Sequence, residues 1–351
     1  MNDGTVRPLV MRAAFCSEPG MFQLRDSARP VPGPGEVLIR VARCGICGSD
    51  LHYFHGGFPP PVVCPGHEIS GEVVELGPDA SWKVGDRVAV EPLVVCRECW
   101  ACRTGDYQLC SRMRLLGTSR DGGFAEYLCM PSYALFALPT GVDLEVGALT
   151  EPLAVAVHAA RLAEVRLGER VLVLGGGTIG LLAIAAARAA GAAEVWITAR
   201  HPQQCAAAEL LGADRIFGGA DADNELFAAA HAQPIDVVIE TIGGTADTLN
   251  QAVLLVRPAG RVAVLGVFTA MPPLNALMLV IKEVRLVGSL TYGRPGPHAD
   301  FDVALRLLAT HPERFRSLIT HRFPLSEIGT AFATASDKRS GSIKVAIAPN
   351  G

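Results

Sequence analysis

The stretch VLVLGGGTIGLLAIAAARAAG, residues 171–191, restricts the possible folds more than any other part of the chain. A short apolar run ends in clustered glycines, and an alanine-rich segment follows. The glycines break the run far short of a membrane span, so the order is strand, tight turn, helix. Gly175, Gly177 and Gly180 fall in the pattern G-x-G-x-x-G. There glycine permits the tight turn and a close backbone approach, and the helix N-terminus faces a pyrophosphate. Thr178 and Ile179, between the glycines, belong to the same candidate dinucleotide site.

A cofactor with a free ribose 2′-hydroxyl is usually held by Asp or Glu at the end of the second strand, about 20 residues onward. Here that position is Ala199, followed by Arg200 and His201. Glu194 is acidic but starts the strand EVWIT (194–198), at the wrong end of the sheet. Losing the carboxylate removes a repulsion, and the planar fork of Arg200 suits a 2′-phosphate. NADP(H) is therefore expected in preference to NAD(H).

The alternation continues with a helix from Pro202, DVVIE (236–240), a helix, RVAVLG (261–266), a helix and VRLVGSL (284–290). Strands alternating with helices predict a parallel, doubly wound sheet. The first 150 residues have another texture: VLIRVA (37–42), EVVEL (72–76) and DRVAV (86–90) are short β-branched runs divided by Gly and Pro. That pattern predicts an antiparallel barrel. From about Tyr292, a helix at 301–310 and the strands HRFPL and GSIKVAIAP read as a return to the first domain. The expected organisation is α/β, with a discontinuous barrel domain at 1–153 and 291–351 and an inserted nucleotide-binding domain at 154–290.

A net charge of −4 without any long basic block excludes a nucleic-acid backbone or an anionic membrane as partner. MNDGTVRPLVMRAAF reads as a first strand rather than an export signal, and a cytoplasmic location is expected. In that setting ten cysteines point to metal binding rather than disulfides. Cys96, Cys99, Cys102 and Cys110 form C-x2-C-x2-C-x7-C within a lobe at about 91–114. Four thiolates at short spacing suit a closed tetrahedral zinc site with no position for substrate, hence a structural zinc. The lobe's Arg97, Arg103, Glu98 and Asp106 cancel in charge, unlike a nucleic-acid-binding ribbon.

CPGHEISG, at 64–71, places the nitrogen donor His67 beside the oxygen donor Glu68. With a distant cysteine they could form an open three-ligand site, as a catalytic metal requires. CGICGSDLH (44–52) offers two such cysteines, and spacing alone leaves both open.

CGICGSDLH, PGHE, the four-cysteine lobe, DGGFAEY (121–127), TEPLAVAVHA (150–159) and GGGTIG follow one another in this order. Together they resemble the zinc-dependent medium-chain dehydrogenase/reductase family, most closely its sorbitol (polyol) dehydrogenase branch. The resemblance implies a GroES-like barrel domain carrying an inserted Rossmann domain. It implies one catalytic and one structural zinc, and hydride transfer between a nicotinamide cofactor and a polyol, another secondary alcohol or the matching ketone. Among the two cysteines it selects Cys47 as a ligand with His67 and Glu68, and Glu151 as a further ligand, direct or through water. Ser49 would contact the substrate hydroxyl, His52 would pass its proton outward and Asp50 would orient a ligand. Tyr53, Phe54 and Phe58, which follow His52 in sequence, could wall the pocket, and Thr291 and Tyr292 align with an Arg-Tyr pair of polyol enzymes whose arginine is missing here. Relatives pair as homodimers or homotetramers through the sheet edge that VRLVGSL would form. Amino-alcohol or cyclitol oxidation is an alternative within the family. A zinc-bearing binding protein without chemistry is the alternative outside it. Cys16, Cys44, Cys64, Cys129 and Cys205 read as packed thiols, and His158 as a satisfied core histidine.

Overall fold

The computed structural model describes residues 9–351, so residues 1–8 of the expected first strand lie outside the description. Strands β1 (Val10–Glu18) and β2 (Met21–Ala28) form an antiparallel hairpin. They are followed by β3 (Glu36–Gly45), β4 (Glu68–Leu76) and β5 (Arg87–Val90). Next come the short pair β6 (Leu93–Val94) and β7 (Arg114–Leu115), then β8 (Tyr127–Pro131) and β9 (Leu135–Ala137). In β3, Val37, Ile39 and Val41 share one face and are fully buried. Arg40 between them is exposed and meets Glu72 of β4 at 2.9 Å, while Leu38 on its face is buried.

The middle of the chain supplies β10 (Arg170–Leu174), β11 (Glu194–Thr198), β12 (Arg215–Phe217), β13 (Ile235–Glu240), β14 (Val256–Val264) and β15 (Arg285–Gly288). All pair in parallel in the order β12-β11-β10-β13-β14-β15. The chain leaves β10 first toward one edge and then toward the other, so a crevice opens at the carboxyl ends beside β10. Val171 to Leu174 are all fully buried, as helices on both faces require. β12 and the helix Ala222–Ala232 escape the sequence reading, because a three-residue strand is too short to show a period.

The alanines of the helix Thr178–Ala189 let it lie close to β10 and to the helix Thr150–Leu162. A side chain at Gly180 would put its Cβ 1.8 Å from the Gly175 carbonyl oxygen, so only glycine admits that approach.

β16 (Ile319–Pro324) and β17 (Lys344–Ala348) close a seven-stranded sheet in the order β16-β17-β3-β4-β5-β9, with β8 also on β3. β16 and β17 pair in parallel, so this sheet is mixed rather than wholly antiparallel as expected. The consequence matters for the site: the last strand of the chain lies against the end of β3, immediately before Cys47. One apolar core, including Leu93, Leu153, Val173, Phe301 and Ile319, runs through both sheets' territories. Among the described residues no helix is long and apolar enough to cross a membrane.

Candidate active site

Four sulfurs meet in the cysteine lobe. Cys96 Sγ lies 3.8 Å from Cys102 Sγ and 3.5 Å from Cys110 Sγ, and all four donor atoms are within 4.8 Å of one another. Zn–S bonds of about 2.3 Å in a tetrahedron set sulfurs about 3.8 Å apart, so the cage is of the size zinc takes. The Glu98 and Cys99 N–H groups point at Cys96 and pull its thiol down to about 6, which favours the thiolate a metal needs. The lobe's helix, Trp100–Thr104, ends at Gly105 with φ of 92°, and Gly105 accepts the Arg294 N–H at 2.7 Å. None of the ten cysteines is in a disulfide.

The second enclave is built where β3, β4 and β17 converge. β3 runs through Ile46 into Cys47, which starts the helix Gly48–Phe54. Asp50, on that helix's first turn, accepts the Cys47 N–H at 3.0 Å and holds its other oxygen 3.8 Å from His67 Nδ1. One carboxylate thus orients both residues. Glu68 opens β4 opposite Gly45, and its carboxylate is buried. Glu151, on the first turn of the helix Thr150–Leu162, is buried in the same enclave.

Charge in this enclave is concentrated and negative. Burial works to lower the pKa of His67, but Asp50, Cys47 and Glu151 outweigh it and hold the imidazolium well above its usual range. Burial pushes the Glu151 carboxyl up, with Glu68 adding to the rise and His67 opposing it. A site that strains to keep a proton on its histidine is one whose donors favour a cation. The donors Cys47, His67, Glu68 and Glu151 have the sulfur, nitrogen and oxygen chemistry that zinc accepts. Among the described residues, only the lobe cysteines close to the 4.8 Å spacing.

Glu68 is shared with a residue that sequence reasoning missed. Lys344 Nζ donates to Glu68 Oε1 at 2.6 Å and to the Ile46 carbonyl at 2.8 Å, fully buried at the start of β17. Glu68 Oε2 is buried without a partner and is an unspent oxygen facing no other side chain's hydrogen. A sequence signal existed: a lone lysine inside the apolar run SIKVAIA must be paired if the strand is buried.

Ser49 and His52, three apart on the helix Gly48–Phe54, share a face and are half-buried. The His52 ring meets Phe58 edge-on at 5.5 Å, and Tyr53 lies 6.1 Å from Phe58. Phe54 points elsewhere, into the core against Phe22 and Phe332. Tyr292 is fully buried, packed edge-on against Phe301 at 4.9 Å, and its hydroxyl has no partner. Burial raises its pKa, and the carboxylate of Glu151 raises it further. Thr291 adopts φ of 48° with an unpartnered buried hydroxyl, a strained conformation for a β-branched residue. Asp300 fixes this turn: it accepts the Gly293 N–H at 2.8 Å and pairs with His158 Nδ1 at 2.8 Å and Arg161 at 2.9 Å. His158 is therefore the satisfied core histidine expected.

At the crevice, Gly175 has φ of 112°, and a Cβ on Gly177 would meet nothing within 4 Å, so the turn is open to a ligand. Thr178 Oγ1 donates to the Ile343 carbonyl at 3.1 Å, which commits its proton and leaves its oxygen as an acceptor only. Ile179 is half-buried beside it. Ala199 is buried at the end of β11, Arg200 is exposed and His201 is half-buried. Glu194 is occupied at the opposite end of β11, paired with Arg170 at 2.9 Å.

Comparison with known proteins converges on one family. Residues 33–140 match the family model "Alcohol dehydrogenase GroES-like domain", and residues 178–310 match "Zinc-binding dehydrogenase". Sorbitol dehydrogenase of Bacillus subtilis is 34% identical over 98% of this chain and 98% of its own. The chain belongs to the zinc-type medium-chain alcohol dehydrogenases. L-threonine 3-dehydrogenase of Pyrococcus horikoshii is 35% identical over 89% of this chain and 91% of its own. The crystal structure of a zinc-binding dehydrogenase from Sinorhizobium meliloti bound to NADP superposes with a TM-score of 0.86 at 34% identity, covering 97% of this chain and 100% of that one. This dehydrogenase accordingly combines a GroES-like domain with a Rossmann-like domain, and it acts on small-molecule alcohols with a nicotinamide cofactor.

Proposed function

We propose that the chain is an NADP(H)-preferring dehydrogenase of a polyol or another secondary alcohol, with catalytic zinc held by Cys47, His67 and Glu68, assisted by Glu151, and structural zinc held by the four lobe cysteines. The observation that carries the cofactor preference is the end of β11. No carboxylate stands there, and Arg200 follows exposed. The same division assigns residues 1–153 and 291–351 to the catalytic domain and 154–290 to the nucleotide domain.

When bound, zinc supplies Lewis-acid stabilisation of negative charge at the substrate oxygen, and the nicotinamide takes the hydride. The chain's own residues handle the proton and the geometry. Ser49 receives the hydroxyl proton, and His52, one turn along the same helix face, carries it to solvent. Burial and the neighbouring His55 lower the His52 pKa, so the ring is neutral and able to accept a proton near pH 7. Tyr292 and Thr291 offer the two unspent hydroxyls opposite, and Tyr53 stands at the outer wall. These are the hydrogen-bond partners a polyhydroxylated substrate would use.

The absence of arginine before Tyr292, together with similarity to a threonine dehydrogenase, favours amino alcohols as a second reading. A panel of polyols, simple secondary alcohols and amino alcohols, each with NADP and NAD, separates them through reduced-nicotinamide absorbance. Turnover of amino alcohols alone would end the polyol reading. Cys47→Ala should abolish turnover with cofactor affinity intact, and Ala199→Asp with Arg200→Leu should move preference toward NAD(H); unchanged selectivity refutes the phosphate argument.

Self-association follows from the sheet edge. Among the described residues β15 has no neighbour on one side, and Leu277, Val280, Ile281 and Leu290 nearby are 53–71% exposed. An apolar edge of this kind pairs with a second copy, as a homodimer or within a homotetramer. Sedimentation of a Val280→Lys variant should show a smaller species than the parent.

A further inference from the structure

We propose that the turn at residues 337–341, which reaches the nucleotide domain from the other side of the cofactor crevice, forms the outer wall of the ribose 2′ pocket, with Arg339 as a second cation for a 2′-phosphate. The proposal rests on the NADP(H) reading above and deepens it.

Two contacts place this turn. Gln203 Nε2, on the first turn of the helix Pro202–Leu210, donates to the Lys338 carbonyl at 2.8 Å. Gln203 is four residues beyond Ala199, so the 337–341 turn lies beside the end of β11. Thr178 of the glycine turn donates to the Ile343 carbonyl at 3.1 Å. The short segment 338–343 therefore spans from the ribose end of the dinucleotide site to its pyrophosphate end. The Asp337 carboxyl is held below its usual range, first by Arg339 and more weakly by His201, in keeping with a turn near the residue that follows Arg200.

The side chains of the turn have distinct assignments. Lys338 is committed, its Nζ donating to the Ala335 carbonyl at 2.8 Å. Arg339 is 88% exposed and forms a two-point contact with its near neighbour Asp337, at 2.9 and 3.1 Å. An exposed pair of this kind is held weakly. A phosphate with nearly two negative charges offers the same fork a stronger partner. Asp337 is then the counter-ion that positions the guanidinium when no phosphate is present, and a repulsive element against one until Arg339 turns. Arg200 on one wall and Arg339 on the other clamp the 2′ substituent between the two domains.

The test is calorimetric titration of the zinc-loaded enzyme with 2′,5′-ADP and with 5′-AMP, which differ only in the 2′-phosphate. Arg339→Ala should weaken 2′,5′-ADP about tenfold and leave 5′-AMP unchanged, as loss of a charge-assisted contact requires. Asp337→Asn should tighten 2′,5′-ADP alone. Arg339→Lys keeps the charge without the fork and should fall between parent and Arg339→Ala. Parent affinity in Arg339→Lys would reduce the effect to distant charge and overturn the contact. Equal weakening of both nucleotides, or of neither, by Arg339→Ala would also overturn it. If Arg200→Leu weakens 2′,5′-ADP while Arg339→Ala does not, this proposal alone fails; if neither does, the NADP(H) reading falls with it.

Discussion

Lys344→Met tests whether the ion pair beneath the catalytic enclave is structural. The Lys344 and Glu68 side chains are only 4% and 1% exposed, and the ammonium is the sole donor within reach of Glu68 Oε1 in the described structure. Methionine keeps the volume and removes the charge, which leaves a buried carboxylate whose other oxygen already lacks a partner. Breaking a buried pair from one side costs about 3–5 kcal/mol. Unfolding entropy near about 2.1 cal/mol/K per residue, over 351 residues, amounts to about 0.74 kcal/mol/K for cooperative unfolding. The midpoint should therefore fall by about 4–7 °C in scanning calorimetry at matched zinc content. Lys344→Met combined with Glu68→Gln should recover at least about half of that loss, because no uncompensated charge remains. A single variant within about 1 °C of the parent, or a double variant no better than the single, would refute the reasoning.

Three shorter predictions follow from the same geometry. Gly180→Ala forces a Cβ to within 1.8 Å of the Gly175 carbonyl, so the helix must shift and NADPH affinity should drop at least about tenfold by fluorescence titration, with the zinc lobe intact; unchanged affinity would contradict the packing. Cys99→Ser should lower the thermal midpoint while Michaelis constants stay within about twofold, and the opposite pattern would make the lobe part of the reaction. Burial pushes the Glu91 carboxyl up to about 7, against the opposing Tyr107 hydroxyl and Arg294. The folded state then holds the proton more tightly than the unfolded state, so the group costs stability as pH rises from its unfolded value of 4.5 to about 7. Glu91→Gln keeps the acceptor for Tyr107 and should gain on the parent by up to about 3 kcal/mol between pH 5 and 8, read as the difference in urea midpoints; a gain that shrinks with rising pH would reverse the sign.

The legible parts of this chain are those whose physics is local. Gly175, Gly177 and Gly180 act within six residues of one another, and the lobe cysteines within fifteen, so spacing alone carries their geometry. The long alternating segments show their period, and β10, β11 and β13 lie within a residue or two of where that period puts them. Asp50 is legible for the same reason, since it reaches the Cys47 N–H three residues back.

The illegible parts depend on strand order, which no local pattern encodes. Lys344 meets Glu68 across 276 residues because β17 pairs with β3, and β3 with β4. β16 on its other side makes β17 an inner strand of the sheet, so that lysine is covered rather than at an edge. Once that order is known, the lysine has one workable position. A cation so deeply buried must face anions, and the anions in this half of the molecule cluster where Cys47, Asp50, Glu68 and Glu151 meet. The strand that closes the sheet thus also supplies the charge that pairs with a carboxylate buried next to the candidate metal donors. The preceding turn, through Ile343 and Lys338, touches the nucleotide domain at both ends of the dinucleotide site. A single C-terminal segment therefore joins the two halves of the chemistry, which is why perturbing it should register in stability at Lys344 and in cofactor choice at Arg339.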